Sequence, residues 1–143
     1  MVSHCSFETI THSRRPTRLT VWDTATWTQL RTMKLRGRVR CLVEFDGKVV
    51  SGGVGGDITV WDPQTGDCER MLRAPRSVHS LCAVGDKIVS GLHDGKILVW
   101  STATWEVERT LEGHDGDVEA LLQVGDVLVS ASDDTTIKVW GGD

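Results

Sequence analysis

A stretch of 23 residues occurs three times along the chain and restricts the folds that it can adopt. The copies are Val39–Trp61, Val78–Trp100 and Val118–Trp140, and they align without a gap. Each begins with Val-x-x-Leu, has a Gly-Asp or Asp-Gly pair in its middle, continues to a serine and ends in Val-Trp. Together with Trp22, the tryptophans that end the units are spaced by 39, 39 and 40 residues. A fixed period near 40 residues indicates an array of similar structural units.

The repeated unit has the residue pattern of short β-strands. Its central segments are rich in β-branched residues and are bounded by turn residues, as in Ile88-Val89-Ser90. The Gly-Asp and Asp-Gly pairs suit tight hairpins, because glycine tolerates positive φ. In the strand that carries Trp140, Ile137 and Val139 lie on one face, and Lys138 and Trp140 lie on the other. The preceding copy has Leu98 and Trp100 on that second face, so both faces carry apolar side chains. We expect an all-β chain of small sheets, each packed between two like sheets, with no helix longer than one turn.

The unit resembles a blade of the WD-repeat β-propeller family. The Trp-Asp signature occurs at Trp22-Asp23 and Trp61-Asp62, and the Gly-His signature occurs once, at Gly113-His114. Two later copies depart from the first signature and have Trp100-Ser101 and Trp140-Gly141. The resemblance covers about residues 19–143 and implies four-stranded blades arranged around a central axis. We number the blades 1 to 4 in the order of their signature tryptophans.

The array divides the chain into two parts. Residues 1–18 are a polar N-terminal segment that is either part of a first incomplete blade or a polar leader. Residues 19–143 hold two complete blades and two partial ones. The smallest propellers have four blades and so need about 160 residues. The sequence therefore predicts an incomplete propeller or a fragment, with a strained small ring and self-association into a larger ring as the alternatives.

Charge is unevenly distributed along the chain, whose net charge is −4. Residues 1–40 carry eight Arg and Lys and two acids, whereas residues 41–143 carry eight Arg and Lys and eighteen acids. Such opposite halves favour a head-to-tail contact between copies, although a solvated face is the commoner meaning of this bias.

Composition and motifs exclude several classes of site. The chain has 39% hydrophobic and 25% charged residues, which is typical of one soluble domain, and no apolar run is long enough for a membrane span. The four cysteines have no Cys-x-x-Cys spacing, so we expect a reducing compartment, cytoplasmic or nuclear. The histidines and cysteines match no zinc spacing, and the glycines at 52–56 are followed by a strand rather than a helix. We therefore predict no metal and no cofactor.

Ser130, His114 and Asp134 have the composition of a catalytic triad, which suggests a hydrolase. The family resemblance implies a different role, in which these residues and Trp140 form a buried hydrogen-bond relay that joins the inter-blade loop to the strands. The corresponding residues are Ser90, Asp94 and Trp100 in blade 3, and Ser51 and Trp61 in blade 2.

Because nothing in the sequence positions a substrate, we favour the structural role and predict no catalytic residue. Blade 2 has Gly55 in place of the relay aspartate, and only blade 4 has the relay histidine. We expect blade 2 to be the least stable, because a buried polar atom without a partner costs about 1–3 kcal/mol.

The resemblance also implies a partner-binding face at the inter-blade loops. Its residues either flank the first valine of each unit or lie in the turn after the second strand. The candidates are Arg38, Arg40 and Val54 in blade 2, Ser77, His79 and His93 in blade 3, and Asp117, Glu119 and Asp133 in blade 4. This face changes from basic to acidic and suits a charged peptide, whereas solvated loop ends without a partner are the alternative.

These features favour a non-catalytic scaffold or adaptor that binds proteins or peptides. Within the same class, the alternative is the recognition of substrates for a ubiquitin ligase, although the chain has no F-box-like segment. The basic residues between 31 and 40 lack interleaved aromatic residues on which bases could stack, so nucleic acid is a disfavoured partner. The sequence identifies neither the partner nor the pathway.

Overall fold

The computed structural model describes residues 17–35 and 37–141, and this part of the chain is all-β, as predicted. It contains thirteen strands and one 3-10 helix of three residues, Val54–Gly56. Residues 1–16, which make up most of the predicted polar N-terminal segment, lie outside the described residues. Within the described ranges we find no helix that is long and apolar enough to cross a lipid bilayer.

The strands form four antiparallel sheets in which neighbours along the chain are neighbours in the sheet. Blade 1 contains β1–β2, blade 2 contains β3–β6, blade 3 contains β7–β10 and blade 4 contains β11–β13. The bounds are β1 Thr17–Trp22, β2 Gln29–Leu35, β3 Val39–Phe45, β4 Lys48–Gly53, β5 Asp57–Trp61, β6 Cys68–Arg73, β7 Val78–Val84, β8 Lys87–Leu92, β9 Ile97–Ser101, β10 Val107–Leu111, β11 Val118–Val124, β12 Val127–Ser132 and β13 Ile137–Gly141.

In blades 1 to 3, the residue after the signature tryptophan shapes the turn that leads to the outer strand. Asp23 and Asp62 accept hydrogen bonds from backbone N–H groups two residues later, at 2.7 and 2.9 Å. Ser101 takes the same role in blade 3, where its hydroxyl accepts from the N–H of Ala103 at 3.1 Å. A serine can therefore replace the signature aspartate, since either side chain stabilises such a turn.

These turns shift two outer strands from their predicted starts. The sequence pattern predicts outer strands at Thr26–Leu35 and Trp105–Leu111, but the chain turns at the start of each range and the strands begin at Gln29 and Val107. Each turn is closed by a backbone hydrogen bond at its base, from Asp23 N–H to the Thr28 carbonyl and from Ser101 N–H to the Glu106 carbonyl, both 2.9 Å. The strand pattern in the sequence extends into residues that these turns use.

Apolar layers lie between consecutive blades. Met33 and Leu35 of blade 1 pack against Trp61 of blade 2. Blades 2 and 3 share the layer that contains Ile58 and Trp100. Blades 3 and 4 share a layer formed by Cys82, Val89, Ile97, Val118 and Leu128, with Trp140 at its margin. Each sheet is thus held mainly by the side chains that it buries against the next one.

The outward face of blade 4 contains apolar side chains that no other blade covers. Leu122, Val129 and Val139 are paired across the three strands and so lie on the same face. Leu122 is 61% exposed, Val139 64% and the neighbouring Ile137 71%. We call Leu122, Val129, Ile137 and Val139 the uncovered face. It points away from the layer that joins blade 4 to blade 3.

Candidate protein interface

Blades 2, 3 and 4 build the predicted partner-binding face with the same backbone hydrogen bond. In each blade, the residue after the second strand donates its N–H to the carbonyl of the residue that precedes the first strand. The bonds are Val54 to Arg38 at 3.0 Å, His93 to Ser77 at 2.9 Å and Asp133 to Asp117 at 3.0 Å. The repeat therefore places equivalent side chains at equivalent points along one edge of the molecule.

The remaining candidate residue of each blade, which follows the first valine, lies in a β-bulge. The register of the first two strands shifts around Arg40, His79 and Glu119, immediately after the first valine. A bulge turns its side chain away from the regular alternation of the strand. Arg40 and Glu119 are exposed as a result, whereas the side chain of His79 is only 7% exposed because neighbouring residues cover it.

The face has opposite charges at its two ends. Arg38, Arg40 and Val54 are exposed in blade 2, and Glu119 and Asp133 are exposed in blade 4. Ser77 of blade 3 is half-buried, and its hydroxyl accepts a hydrogen bond from the Gly55 N–H at 3.2 Å. Ser77 therefore fastens the loop between blades 2 and 3, in addition to lying at the predicted face.

Four of the predicted residues from blades 3 and 4 lie in direct contact, and we call them the His/Asp cluster: His79, His93, Asp117 and Glu119. The Nε2 atom of His79 lies 3.3 Å from Nδ1 of His93, and the two rings are stacked with their centroids 5.4 Å apart. His93 Nδ1 lies 2.9 Å from Oδ1 of Asp117. His79 Nδ1 lies 3.6 Å from Oε1 of Glu119. The cluster joins the two blades at the surface.

Beneath this face, the relay residues of blade 4 are connected by short hydrogen bonds. The Trp140 indole N–H donates to the Ser130 hydroxyl at 2.8 Å, and Ser130 Oγ lies 2.7 Å from Nε2 of His114. His114 Nδ1 lies 2.9 Å from Oδ2 of Asp134. Because Ser130 accepts from the indole, its own hydrogen is free to be donated to His114, and His114 then donates to Asp134.

Asp134 receives several further hydrogen bonds. The Thr136 hydroxyl donates to it at 2.6 Å, and the N–H groups of Thr136 and Asp115 donate at 2.9 and 3.0 Å. The hydroxyl of Thr136, followed by the N–H of Asp115, holds the pKa of Asp134 well below its ordinary value, since these bonds favour the ionised carboxylate. Thr136 was not among the residues predicted from the sequence, although Asp-x-Thr is a recognisable turn pattern.

Blades 2 and 3 retain the tryptophan–serine part of the relay. The indole N–H of Trp100 donates to Ser90 at 2.9 Å, and that of Trp61 donates to Ser51 at 3.2 Å. Ala74 occupies the position in blade 3 that corresponds to His114 and is buried. Asp94 accepts from the Lys96 N–H at 3.1 Å and lies 4.0 Å from Nε of Arg76.

The expectation of an unpartnered polar atom in blade 2 is wrong. The Ser51 hydroxyl donates to the Thr59 carbonyl at 3.5 Å while it accepts from Trp61. No buried side-chain nitrogen or oxygen within residues 17–35 and 37–141 lacks a hydrogen-bond partner. A backbone carbonyl thus replaces the missing histidine, so the proposed reason for a weak second blade does not hold.

The contacts of Ser130, His114 and Asp134 have the connectivity of a catalytic triad, but Ser130 is inaccessible. Its exposed fraction is 0%, and its hydroxyl lies between the indole of Trp140 and the imidazole of His114. A nucleophile must reach the reacting carbon of its substrate. This geometry supports a structural role for the three residues.

Comparisons with known proteins agree with this architecture. The sequence profile described as "WD domain, G-beta repeat" matches residues 105–141. The structure of the computationally designed Ika4 protein aligns with 33% identity and a TM-score of 0.76, over 87% of this chain and 79% of that one. The chain belongs to the WD-repeat family. The predicted fold class, all-β with WD-repeat propeller blades, is confirmed.

A second designed protein is also similar. The structure of the computationally designed Ika8 protein aligns with 33% identity and a TM-score of 0.74, over 87% of this chain, and this chain spans 40% of Ika8. No curated protein matched the chain. WD-repeat domains generally mediate protein–protein interactions and are generally non-catalytic.

Proposed function

We propose that this WD-repeat chain is a non-catalytic scaffold or adaptor that binds a charged protein or peptide along the edge of blades 2 to 4. The observation that carries the proposal is the repeated backbone hydrogen bond, which aligns residues of opposite charge on one edge. Exposed Arg38 and Arg40 lie at one end, and exposed Glu119 and Asp133 lie at the other.

The partner best suited to this edge carries an acidic segment next to a basic one. Its acidic part would lie against Arg38 and Arg40, and its basic part would lie against the carboxylates of blade 4. Complementary charge of this kind speeds encounter and fixes the orientation of the partner, and salt weakens it. The direction of the peptide along the edge follows from the order of its charges.

Charge reversal tests the proposal. We would measure binding of a peptide with an acidic block followed by a basic block, and of the same composition in scrambled order. Arg40→Glu and Asp133→Lys should each weaken binding of the block peptide by about fivefold, since exposed ion pairs contribute up to about 1 kcal/mol. Arg109→Glu and Glu106→Lys make the same charge changes at exposed positions outside this edge. Equal losses in all four variants, or equal binding of both peptides, would contradict the proposal.

Two further predictions from the sequence concern a ubiquitin ligase and the location of the protein in the cell. Substrate recognition for a ubiquitin ligase has no supporting observation among the described residues, and we do not propose it. A cytoplasmic or nuclear location remains part of the proposal and rests on the sequence alone.

We also propose that the chain associates with a second copy of itself through the uncovered face. In β1, Trp22 follows Val21 and lies on the opposite side from the layer that Val21 shares with blade 2. Trp22 is 53% exposed. The uncovered face at one end of the stack and the Trp22 side at the other are the two surfaces that consecutive blades normally press together.

Charge adds to this head-to-tail arrangement. Basic residues predominate in residues 1–40 and acidic residues in the rest of the chain, so opposite ends of two copies attract. We expect sedimentation over a dilution series to give a mass above that of one chain, 15.7 kDa, with little binding of a hydrophobic dye. A stable monomer that binds the dye would contradict association.

A further inference from the structure

His79, His93 and Asp117 present three metal-binding atoms to one another from three separate segments. His79 lies in the bulge of β7, His93 in the turn after β8, and Asp117 just before β11. One donor atom from each residue lies within 4.8 Å of the other two. We propose that this trio binds a divalent transition-metal ion of the zinc type and that the ion links blade 3 to blade 4.

The separations between the donor atoms suit tetrahedral zinc. Ligand atoms about 2.0–2.2 Å from the ion in a tetrahedron are about 3.3–3.6 Å apart. His79 Nε2 lies 3.3 Å from His93 Nδ1 and 3.6 Å from Asp117 Oδ2. His93 Nδ1 lies 2.9 Å from the other carboxylate oxygen, Asp117 Oδ1, so a small movement of the exposed His93 ring would place both nitrogens around one oxygen of Asp117.

The donor types favour a transition metal over calcium or magnesium. Two imidazole nitrogens and one carboxylate oxygen are a common set for zinc, cobalt, nickel or copper, whereas calcium and magnesium prefer oxygen ligands. Three protein ligands also leave one tetrahedral position for water or for a side chain of a bound partner.

Glu119 is placed to orient the most buried ligand. Its Oε1 lies 3.6 Å from Nδ1 of His79, the ring nitrogen that faces away from His93 and Asp117. A histidine ligand usually donates its second N–H to a carboxylate, which fixes its tautomer and strengthens the metal bond. The side chain of His79 is 7% exposed, so its ring is already held in place by the surrounding residues.

The spacing of these residues explains why the sequence predicted no metal site. Short zinc motifs place ligands a few residues apart on one turn or loop, whereas this trio comes from separate turns of two blades. The β-bulge, the hairpin turn and the packing of blade 4 against blade 3 bring the residues together. The trio therefore forms because two blades pack together, and no local sequence motif contains its three residues.

Metal titration of the full chain after chelator treatment tests the site. We expect zinc to bind in calorimetry with one equivalent per chain. Cobalt should give visible ligand-field bands without a charge-transfer band from thiolate, which separates this site from the free thiols of Cys41 and Cys82. Zinc should also raise the melting temperature, because it binds the folded chain preferentially.

Three variants complete the experiment. His93→Ala and Asp117→Asn should weaken zinc binding by at least about tenfold and abolish the thermal shift. Asp115→Asn removes the same charge from an exposed residue two positions from Asp117 and should bind zinc like the unaltered chain. The melting temperature of His93→Ala without metal should be unchanged, since its side chain is 63% exposed.

Three results would overturn the proposal: no saturable zinc binding, equal binding by all three variants, or a thiolate charge-transfer band. The second would indicate adventitious binding elsewhere, and the third a cysteine site. The titration contains no peptide, so its result is independent of the partner-binding proposal.

Discussion

The same sheet face is buried in blade 3 and exposed in blade 4. Ile97 and Ile137 occupy the same position in β9 and β13, yet Ile97 is 0% exposed and Ile137 is 71% exposed. Cys82 and Leu122 show the same contrast, with 9% and 61% exposed. The repeat gives both faces the same apolar character. Burial depends on whether another blade covers the face, because each blade takes most of its core from its neighbour.

This contrast has an energetic consequence. Complete burial of an isoleucine, valine or leucine side chain stabilises by about 1.5–3 kcal/mol relative to the exposed state. Blade 3 has this stabilisation from Ile97, which is buried, and in part from Val99, whereas the equivalent Ile137 and Val139 of blade 4 are exposed and lack most of it. Covering the uncovered face by association would therefore stabilise blade 4 further.

Shortening the two equivalent isoleucines should give the largest difference. Ile97→Ala should lower the free energy of unfolding by about 2–5 kcal/mol, because it leaves a cavity in the layer between blades 3 and 4. Ile137→Ala should change it by no more than about 0.5 kcal/mol in the monomer. Urea unfolding at low protein concentration measures both. Similar losses in the two variants would show that the uncovered face is already buried in solution.

The relay gives blade 4 a stabilising element that blade 3 lacks. His114→Ala should lower the free energy of unfolding by about 1–3 kcal/mol, because Ser130 and Asp134 lose a buried partner. His93→Ala is the matched control and should change it by at most about 0.5 kcal/mol in chelated buffer. Thermal or urea unfolding compares the two variants. Equal losses of stability would show that the relay does not stabilise blade 4.

A smaller effect should depend on pH. The pKa of Asp134 is lowered in the folded chain, chiefly by the Thr136 hydroxyl, so the ionised carboxylate stabilises the fold above the unfolded-state pKa of about 3.9. That contribution is lost as the pH falls below this value and through the lower pKa of the folded state. Asp134→Asn should therefore melt at a lower temperature than the unaltered chain at pH 6, with a smaller difference at pH 3. A difference that stays constant would contradict the assignment.

The fold was predictable because its signals are repeated. The aligned valines, turn glycines and tryptophans predicted the inner strands. Outer strands were less certain, since Asp23 and Ser101 use part of the predicted strand to form turns. The expected defect in blade 2 was absent because Ser51 finds a backbone carbonyl, which the side-chain pattern does not reveal.

Different parts of the candidate interface were predictable to different degrees. The family pattern identified the positions of His79, His93 and Asp117, but not their contacts. Those contacts depend on a bulge and on the packing of two blades, which no local spacing records. The position of each candidate residue could thus be predicted from a single repeat. The contacts between residues of different blades could be seen only in the structure, where the blades pack together.

Mixing two damaged chains tests most directly whether the uncovered face binds the opposite end of a second copy. Ile137→Lys damages the uncovered face and leaves the Trp22 side intact, whereas Trp22→Lys does the reverse. Val107→Lys places the same charge at an exposed valine in β10, outside both surfaces, and should associate like the unaltered chain.

Sedimentation velocity should show that Ile137→Lys and Trp22→Lys are each monomeric alone, while their equimolar mixture forms a dimer through the one intact pair of surfaces. A mixture that stays monomeric, while the unaltered chain associates, would contradict head-to-tail contact through these faces.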